Sequence, residues 1–330
     1  MTIDQKIFGE LTELHVHIGS AVDPPIMWEI AQEQGIKLPT KNYWEFERLI
    51  TISDETNYQK YLDLFHWTEL IQSSPEAMEK SVYSIASGAY RKNSITTLEI
   101  RFNPMLRNRS GERDLDHIIL SSIHSIERAM LAYPMRIGLI LMCDRRFSPE
   151  LNGIIAQKAI KYCKRGVVGI DLAGPIDNNF YMETLVEPIS VCKRAGLGIT
   201  IHTGEATGAD EMFKTIKLLE PDRIGHGVRA VEDEEVLKEL SKRNITLEIC
   251  PTSNINTRVV KELNDFRNIF TKLKEFGVPF TINTDGPEML RTNLVKEYQL
   301  LLDNNILTLE DLQVASKTAR NATFIKNGSI

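Results

Sequence analysis

The chain has 330 residues, of which 42% are hydrophobic and 25% are charged, and its formal net charge is −6. These values are typical of a soluble globular protein, and an acidic balance without a Lys/Arg block argues against a nucleic-acid-binding surface. No segment has the ~18 consecutive apolar residues of a membrane helix, and the polar start Met1–Glu10 lacks the apolar core of a signal peptide. We therefore expect a cytoplasmic protein with neither a membrane nor a nucleic-acid partner.

Short apolar runs alternate with longer helical patterns along the whole chain. Eight runs read as strands, and several are apolar on both faces, as in parallel strands covered on both sides. They are Leu11–Ile18, Thr96–Phe102, Arg136–Cys143, Val167–Leu172, Gly198–His202, Arg223–His226, Thr246–Cys250 and Pro279–Asn283. Eight β/α alternations predict an α/β TIM (β/α)8 barrel as a single domain over residues 1–330, with a doubly wound open sheet as the alternative.

The connection between the first two predicted strands is unusually long, at about eighty residues, where most connections have only a few. It is rich in aromatic residues, and most of these are expected to form a small core of their own. We interpret residues 20–90, approximately, as a helical insertion packed over the mouth of the barrel. Tyr61, Leu62 and Phe65 are its candidate lid residues.

Two histidines end the first predicted strand. Residues two apart on a strand point to the same face, so His15 and His17 project together. Two converging imidazoles can hold a divalent transition metal such as zinc. This pair therefore predicts a metal-dependent enzyme whose other ligands come from elsewhere in the chain.

Further polar residues fall at the carboxyl ends of later strands, the face at which TIM barrels build their active sites. They are Asp171, His202, Glu205, His226 and Asp285. Taken singly, a strand-end histidine is more often structural, an Asp-Gly-Pro segment is usually a turn, and His66, His117 and His124 in helical patterns are expected to be structural. Together with His15 and His17, the residues Asp171, His202, His226 and Asp285 make six strand-end positions that agree, which favours a catalytic site instead.

A ligand set follows from these positions. His15, His17, His202 and Asp285 offer three nitrogens and one oxygen, which suit one zinc ion per chain with room for a water. Bound zinc lowers the pKa of such a water to about 7. Glu205 is then the candidate proton shuttle, and His226 the candidate for orienting the hydroxide or stabilising charge.

The chain resembles the adenosine deaminase family of the metal-dependent amidohydrolase superfamily. The matching segments follow the order of the family and are His15-Val-His17, Gly169-Ile-Asp-Leu-Ala-Gly-Pro175, His202-Thr-Gly-Glu205, Arg223-Ile-Gly-His-Gly227, Leu247-Glu-Ile-Cys-Pro-Thr-Ser-Asn254 and Asn283-Thr-Asp285. The resemblance implies a zinc barrel that replaces the 6-amino group of a purine with oxygen and releases ammonia.

The resemblance also implies roles for individual residues. It makes His15, His17, His202 and Asp285 the zinc ligands, Glu205 the proton donor to ring N1, and His226 the residue that positions the hydroxide. The backbone of Gly174 would approach ring N3. We add Asp171, Leu62 and Phe65, with Gly19 and Gly286, as expected substrate-binding positions.

Two positions depart from the pattern of the family. Members usually carry a second aspartate directly after the metal aspartate, which contacts purine N7, but this chain has Gly286. Glu288 or a water is a candidate replacement. Many members also carry an acidic residue two positions after the second histidine, at the ribose 5′-hydroxyl, and this chain has Gly19 there. The second departure makes a substrate with a modified 5′ end conceivable.

The leading hypothesis is therefore zinc-dependent hydrolytic deamination of adenosine or a related 6-aminopurine nucleoside. One alternative keeps the zinc chemistry but takes another amino-heterocycle, such as adenine or a 5′-modified adenosine. Another is a purine-binding protein with weak turnover, against which Glu205 and His226 argue, because a pure binder needs no proton shuttle. The sequence leaves the oligomeric state open.

Overall fold

Eight parallel strands form one sheet whose spatial order is the order of the chain. The computed structural model describes residues 8–53, 56–108, 114–177 and 179–326, so the ends of the predicted 1–330 domain, including the first part of Met1–Glu10, lie outside the described residues. The strands are β1 (Leu11–His17), β2 (Ile95–Phe102), β3 (Arg136–Asp144), β4 (Val167–Ala173), β5 (Gly198–Thr203), β6 (Arg223–His226), β7 (Thr246–Ile249) and β8 (Phe280–Ile282).

The sheet closes on itself through a bridge between Val16 in β1 and Asp285 after β8. The TIM barrel is thus confirmed, and the open doubly wound sheet is excluded. Each of the eight predicted strands is correct to within one residue at either end. The agreement is close because strands buried on both faces are continuous apolar runs that end abruptly at polar or glycine residues.

Helices cover the outside of the barrel. Among the described residues they are α1 (Pro24–Glu33), α2 (Tyr43–Ile50), α3 (Tyr58–Ile71), α4 (Pro75–Asn93), α5 (Leu115–Ala132), α6 (Pro149–Tyr162), α7 (Val186–Arg194), α8 (Ala209–Leu218), α9 (Glu234–Lys242), α10 (Pro251–Asn256), α11 (Asp265–Glu275), α12 (Leu294–Asp303) and α13 (Leu309–Ala322). Ser74 caps α4, and Thr308 forms a capping box with Asp311 at the start of α13. None of the described helices is long and apolar enough to cross a membrane.

The long first connection holds α1 to α4. α4 packs against β2 and α5, as a helix of the barrel does, while α3 faces the mouth of the barrel. Trp28 and Trp67 pack against the main hydrophobic core, not in a separate core of the insertion, whereas Trp44 is exposed. The helical content of the insertion agrees with the sequence, and its limits at about residues 20 and 90 stay a prediction.

The interior of the barrel contains a network of buried charges. Arg223 contacts Glu99 and Glu248, each at 2.6 Å, and Arg101 contacts Glu248 at 2.8 Å. All of these side chains are buried, and a buried charge is tolerated only when it is paired and hydrogen-bonded. The network extends toward the carboxyl ends of the strands, where the predicted site lies.

Candidate metal centre and active site

The four predicted metal ligands converge at the carboxyl end of the barrel. His17 Nε2 lies 3.3 Å from His15 Nε2 and 3.1 Å from His202 Nε2. Asp285 Oδ1 lies 3.4 Å from His17 Nε2 and 3.8 Å from His15 Nε2. Four ligand atoms bound tetrahedrally to zinc lie roughly 3.3 Å from one another. The spacing therefore fits a single ion of that size.

The backbone of Asp285 is held against β1. Its N–H donates to His15 O and its carbonyl accepts from His17 N, both at 2.9 Å. Its φ of 66° lies in the left-handed region, which Asp adopts more readily than most residues. This conformation directs the carboxylate toward the histidines as soon as β8 ends.

A second layer of carboxylates holds the ligand histidines. Glu248 Oε2 lies 2.6 Å from His15 Nδ1, and Asp171 Oδ2 lies 2.9 Å from His202 Nδ1. Arg101 contacts both carboxylates. Carboxylates at Nδ1 favour the tautomer with the proton on Nδ1, so that the Nε2 lone pairs face the centre of the site. The rings are thus oriented for metal binding.

Asp171 was expected to bind substrate. It is fully buried behind His202 and does not line the cavity described below, because its strand directs the carboxylate at the imidazole. The structure therefore places it as a hydrogen-bonding partner of His202. The sequence analysis did not identify Glu248 and Arg101 as partners of the histidines and carboxylates in this layer. Each is a charged residue between two apolar neighbours in a strand, a pattern that could have indicated a buried role.

Two hydroxyl groups hold the outer oxygen of Asp285. Ser253 Oγ donates to Asp285 Oδ2 at 2.6 Å, and Tyr61 Oη donates to the same oxygen at 3.1 Å. Oδ1 is left to face His15 and His17. The lid residue Tyr61 thus contacts the candidate metal centre directly.

Burial sets the protonation of the imidazoles. It lowers the pKa of His15, His17 and His226 well below the usual range, and neighbouring charged groups lower the pKa of His15 and His17 further. Neutral imidazole is the form that binds metals. The three rings are accordingly ready to bind or to act without first losing a proton.

Glu205 lies beside this centre and is buried. Burial raises its pKa to about 8. The negative charge of Asp285 also raises this pKa, whereas the positive charge of Arg145 lowers it. His226 Nε2 lies 3.7 Å from Glu205 Oε1, while the Asn254 amide contacts His226 Nδ1 at 3.0 Å. A carboxyl group that keeps its proton at neutral pH can serve as a general acid.

A cavity of about 300 Å³ opens at these groups. Ligand sites usually measure roughly 300–1,000 Å³, so the cavity suits a small molecule. The barrel contributes His17, Gly174, His202, Glu205, His226 and Asp285 to its lining. Helix α3 contributes Tyr58, Tyr61, Leu62, Phe65 and His66. Leu62, Phe65 and Gly174 therefore line the cavity, as predicted from the sequence. His66 also lines it, although the sequence predicted a structural role for this residue.

Gly174 leaves the cavity wall without a side chain. Its φ is 95°, and a Cβ there would lie 2.7 Å from Asp144 Oδ1. Both the backbone conformation and the packing therefore require glycine. The bare backbone permits close approach by a ligand.

Gly19 lies just behind the lining. A Cβ there would lie 2.7 Å from Phe65 Cδ1 and 3.1 Å from Arg107 Nη2. The space expected for an acidic side chain is thus taken by an aromatic ring and a guanidinium group. Arg107 is buried and lines the cavity, and the sequence carried no signal that would have identified it.

Glu288 does not replace the missing aspartate side chain at position 286. Its carboxylate pairs with Lys92 at 2.8 Å and lines a separate cavity on another side of β1. The turn after Asp285 directs Glu288 away from the metal ligands. The expectation that Glu288 takes over the contact is therefore wrong.

A closed barrel with histidines converging at its strand ends, beside a buried carboxyl group of raised pKa, is the arrangement of a metal-dependent barrel hydrolase. The model of the family described as "Adenosine deaminase" matches residues 11–329. The chain belongs to the adenosine deaminase family, as its motifs predicted. It is a hydrolytic deaminase, and its family supports an aminopurine as the substrate class.

Individual relatives agree with this assignment. An adenosine deaminase of Clostridium botulinum (strain Okra / Type B1) is 30% identical over 313 residues, which cover 94% of this chain and 92% of the relative. The adenine deaminase structure from Arthrobacter aurescens has a TM-score of 0.85 at 20% identity, covering 96% and 94% of the two chains. The structure of Arabidopsis ADAL complexed with IMP has a TM-score of 0.84 at 22% identity, covering 98% and 94%. Both structures share the fold.

Proposed function

We propose that the chain is a zinc-dependent enzyme that hydrolyses the 6-amino group of adenosine or a related 6-aminopurine nucleoside, yielding the 6-oxo product and ammonia. The observation that carries this proposal is the position of Glu205. A carboxyl group with a pKa of about 8 lies in the same small cavity as four converging ligand atoms. An acid beside a metal centre is what hydrolytic replacement of a ring amino group requires.

The donor set fits zinc. Three imidazole nitrogens and one carboxylate oxygen are ligands that zinc accepts, and their separations of 3.1–3.8 Å suit tetrahedral binding. When bound, zinc lowers the pKa of a coordinated water to about 7 and so supplies hydroxide at neutral pH. Glu248 and Asp171 keep the ligand histidines oriented throughout.

The remaining groups act on the substrate ring. As C6 is attacked, electrons move onto N1, and Glu205 donates its proton there. His226, with Nε2 directed toward Glu205, positions the attacking oxygen. The bare backbone of Gly174 accommodates the N3 edge of the ring, and Leu62 and Phe65 cover its faces and exclude water. The partner of this chain in this proposal is a small purine.

A 5′-phosphorylated 6-aminopurine is a second candidate substrate. It is favoured by Arg107, whose guanidinium lies against Gly19 where an acidic residue was expected. Guanidinium groups bind phosphate through paired hydrogen bonds. The neighbour from Arabidopsis was solved with a nucleotide, IMP.

Ammonia release by the zinc-loaded full chain tests both candidates. Adenosine, adenine, AMP, an aminopyrimidine and a pteridine are compared at equal concentration. We expect turnover of adenosine, and faster turnover of AMP would select the second candidate. In that case Arg107→Leu should remove the preference for AMP while leaving adenosine turnover within a few-fold. Failure to release ammonia from every 6-aminopurine would contradict the proposal.

A further inference from the structure

Position 286, directly after Asp285, has no room for a side chain. A Cβ on Gly286 would lie 2.6 Å from Ser20 Oγ, 2.7 Å from Ser20 Cβ and 2.9 Å from Tyr61 Oη. Such contacts force packed neighbours to move. Gly286 is therefore required by its surroundings, and the space beside Asp285 is already filled by the hydroxyl groups of a serine and a tyrosine.

The Tyr61 hydroxyl is held firmly in this space. The side chain is only 4% exposed, and its ring meets Phe65 edge to face with a centroid distance of 5.5 Å. It packs with Met289 and Leu290, which follow β8, in a small cluster separate from the main core. The hydroxyl is thus fixed from the lid helix α3 and from the segment after Asp285 together.

An aspartate side chain at position 286 would need the volume that this hydroxyl occupies. Carboxylate oxygens lie two bonds from their own Cβ, and Tyr61 Oη already lies within 2.9 Å of that point. Tyr61 also lines the cavity. The Tyr61 hydroxyl therefore offers a ligand a hydrogen-bonding group close to the position that the side chain of a larger residue 286 would occupy.

The strand order sets which edge of a purine faces Tyr61. Glu205 follows β5, and Asp285 follows β8, three strands further around the closed ring of eight. In a purine, N1 and N7 flank C6 on opposite edges. If C6 lies at the metal ligands and N1 at Glu205, the N7 edge faces the side of Asp285 and Tyr61.

We propose that Tyr61 is the specificity-determining residue that reads purine N7, replacing a side chain at position 286 with a neutral hydroxyl donor. The proposal rests on the proposed 6-aminopurine substrate. Without ligand the hydroxyl donates to Asp285 Oδ2, and with substrate the same proton is donated to N7. Asp285 Oδ2 then keeps the hydrogen bond from Ser253 at 2.6 Å, so its carboxylate stays oriented.

The test compares the preferred substrate with its 7-deaza analogue, in which N7 is a C–H group. A single neutral hydrogen bond accounts for roughly a tenfold difference in kcat/KM. We expect the wild-type protein to prefer the purine by about this factor, and Tyr61→Phe to bring the ratio close to one by slowing only the purine. Equal slowing of both substrates by Tyr61→Phe, or an unchanged ratio, would overturn the proposal.

Tyr58→Phe is the matched control. It removes a hydroxyl from the same helix and the same cavity lining, whereas the hydrogen bond to Asp285 Oδ2 comes from Tyr61. We expect it to leave the purine to 7-deaza ratio unchanged. The zinc content of both variants should match the wild type. A loss of zinc in Tyr61→Phe would show that Tyr61 acts only by holding Asp285. It would also overturn the proposed hydrogen bond from Tyr61 to N7.

A thermal-unfolding experiment tests the packing without any turnover. We expect Gly286→Ala to lower the unfolding midpoint by a few degrees in the wild type and by clearly less in a Ser20→Gly/Tyr61→Phe background, where the crowding atoms are removed. Equal losses in both backgrounds would show that Ser20 and Tyr61 do not exclude a side chain from position 286.

The two kinds of failure are distinguishable. If no 6-aminopurine is turned over, the proposed function fails and the N7 contact fails with it, while the unfolding experiment still decides the packing. If the wild type is active but its ratio does not depend on Tyr61, the proposed function stands and this inference alone is wrong.

Discussion

The ring of strand ends and the lid helix α3 both line the cavity, but different interactions hold them. The ligand histidines are fixed by the parallel sheet and by the fully buried carboxylates of Glu248 and Asp171. The α3 residues Tyr61 and Phe65 instead pack in a small separate cluster with Met289 and Leu290. A buried, multiply bonded layer resists change more than a small satellite cluster does. We therefore expect substitutions in the barrel layer to affect the chemistry most, and substitutions in α3 to affect mainly substrate binding.

The largest effect is expected from removing a metal ligand. His17→Ala takes away the imidazole whose Nε2 lies within 3.4 Å of three other ligand atoms. Zinc content should fall from about one ion per chain to near zero, and ammonia release should fall to background. Metal analysis alongside an activity assay checks this. Full activity in metal-free His17→Ala would show that these residues are not the metal site.

Glu205→Gln should have the next largest effect. It keeps the shape of the side chain but removes the acid, so kcat should fall by roughly 10²–10⁴-fold with zinc content unchanged. Steady-state kinetics and metal analysis on the same preparation measure this. A decrease of less than threefold would rule out Glu205 as the proton donor.

The pH profile of the wild type supplies the control for Glu205. Its pKa is about 8, so the carboxyl group is protonated below that pH and ionised above it. We expect kcat/KM to fall about tenfold per pH unit above pH 8, because the donor is lost as it ionises. The residual activity of Glu205→Gln should lack this alkaline limb.

Asp171→Asn tests the second layer of the barrel and should have an intermediate effect. Weakening a partner of a metal-binding histidine typically costs 10–100-fold in metal affinity or activity. We expect Asp171→Asn to bind zinc more weakly in competition with a chelator. Glu248→Gln, which alters the carboxylate partner of His15, should weaken zinc binding in the same way. An unchanged zinc affinity with a raised KM would instead restore the sequence-based expectation that Asp171 binds substrate.

The smallest effect is expected in the lid. Leu62→Ala removes part of the apolar cover and should raise KM by about 3–10-fold, as expected for losing roughly 1 kcal/mol of apolar contact, with kcat within twofold. Leu62→Met keeps the volume and should leave KM almost unchanged. A loss of kcat as large as that of Glu205→Gln would mean that the lid also organises the chemistry.

Most of the metal centre could be predicted because it depends on local rules. Alternation on β1 places His15 and His17 on one face, and parallel strands deliver their carboxyl ends to one side of the barrel. Any fold with these strands in this order brings His202 and Asp285 to the same place. The lid as a helical insertion followed from the length of the first connection.

The contacts that surround these residues could not be predicted from the sequence in the same way. That Asp171 faces His202, and that Glu288 turns toward Lys92, depends on side-chain directions across strands or helices far apart in the chain. Arg107 against Gly19 is likewise a contact between distant segments. Local patterns carry no information on such pairs.

By itself, the sequence determined the barrel, the convergence of the candidate metal ligands and the class of chemistry, because strand periodicity and strand-end position are properties of short segments. Only the tertiary structure decided what surrounds Gly286. Ser20 and Tyr61 fill that space because closure of β8 on β1 brings the three positions together and α3 packs over them. The surroundings of Gly286 are therefore set by packing between distant segments, which no single motif encodes.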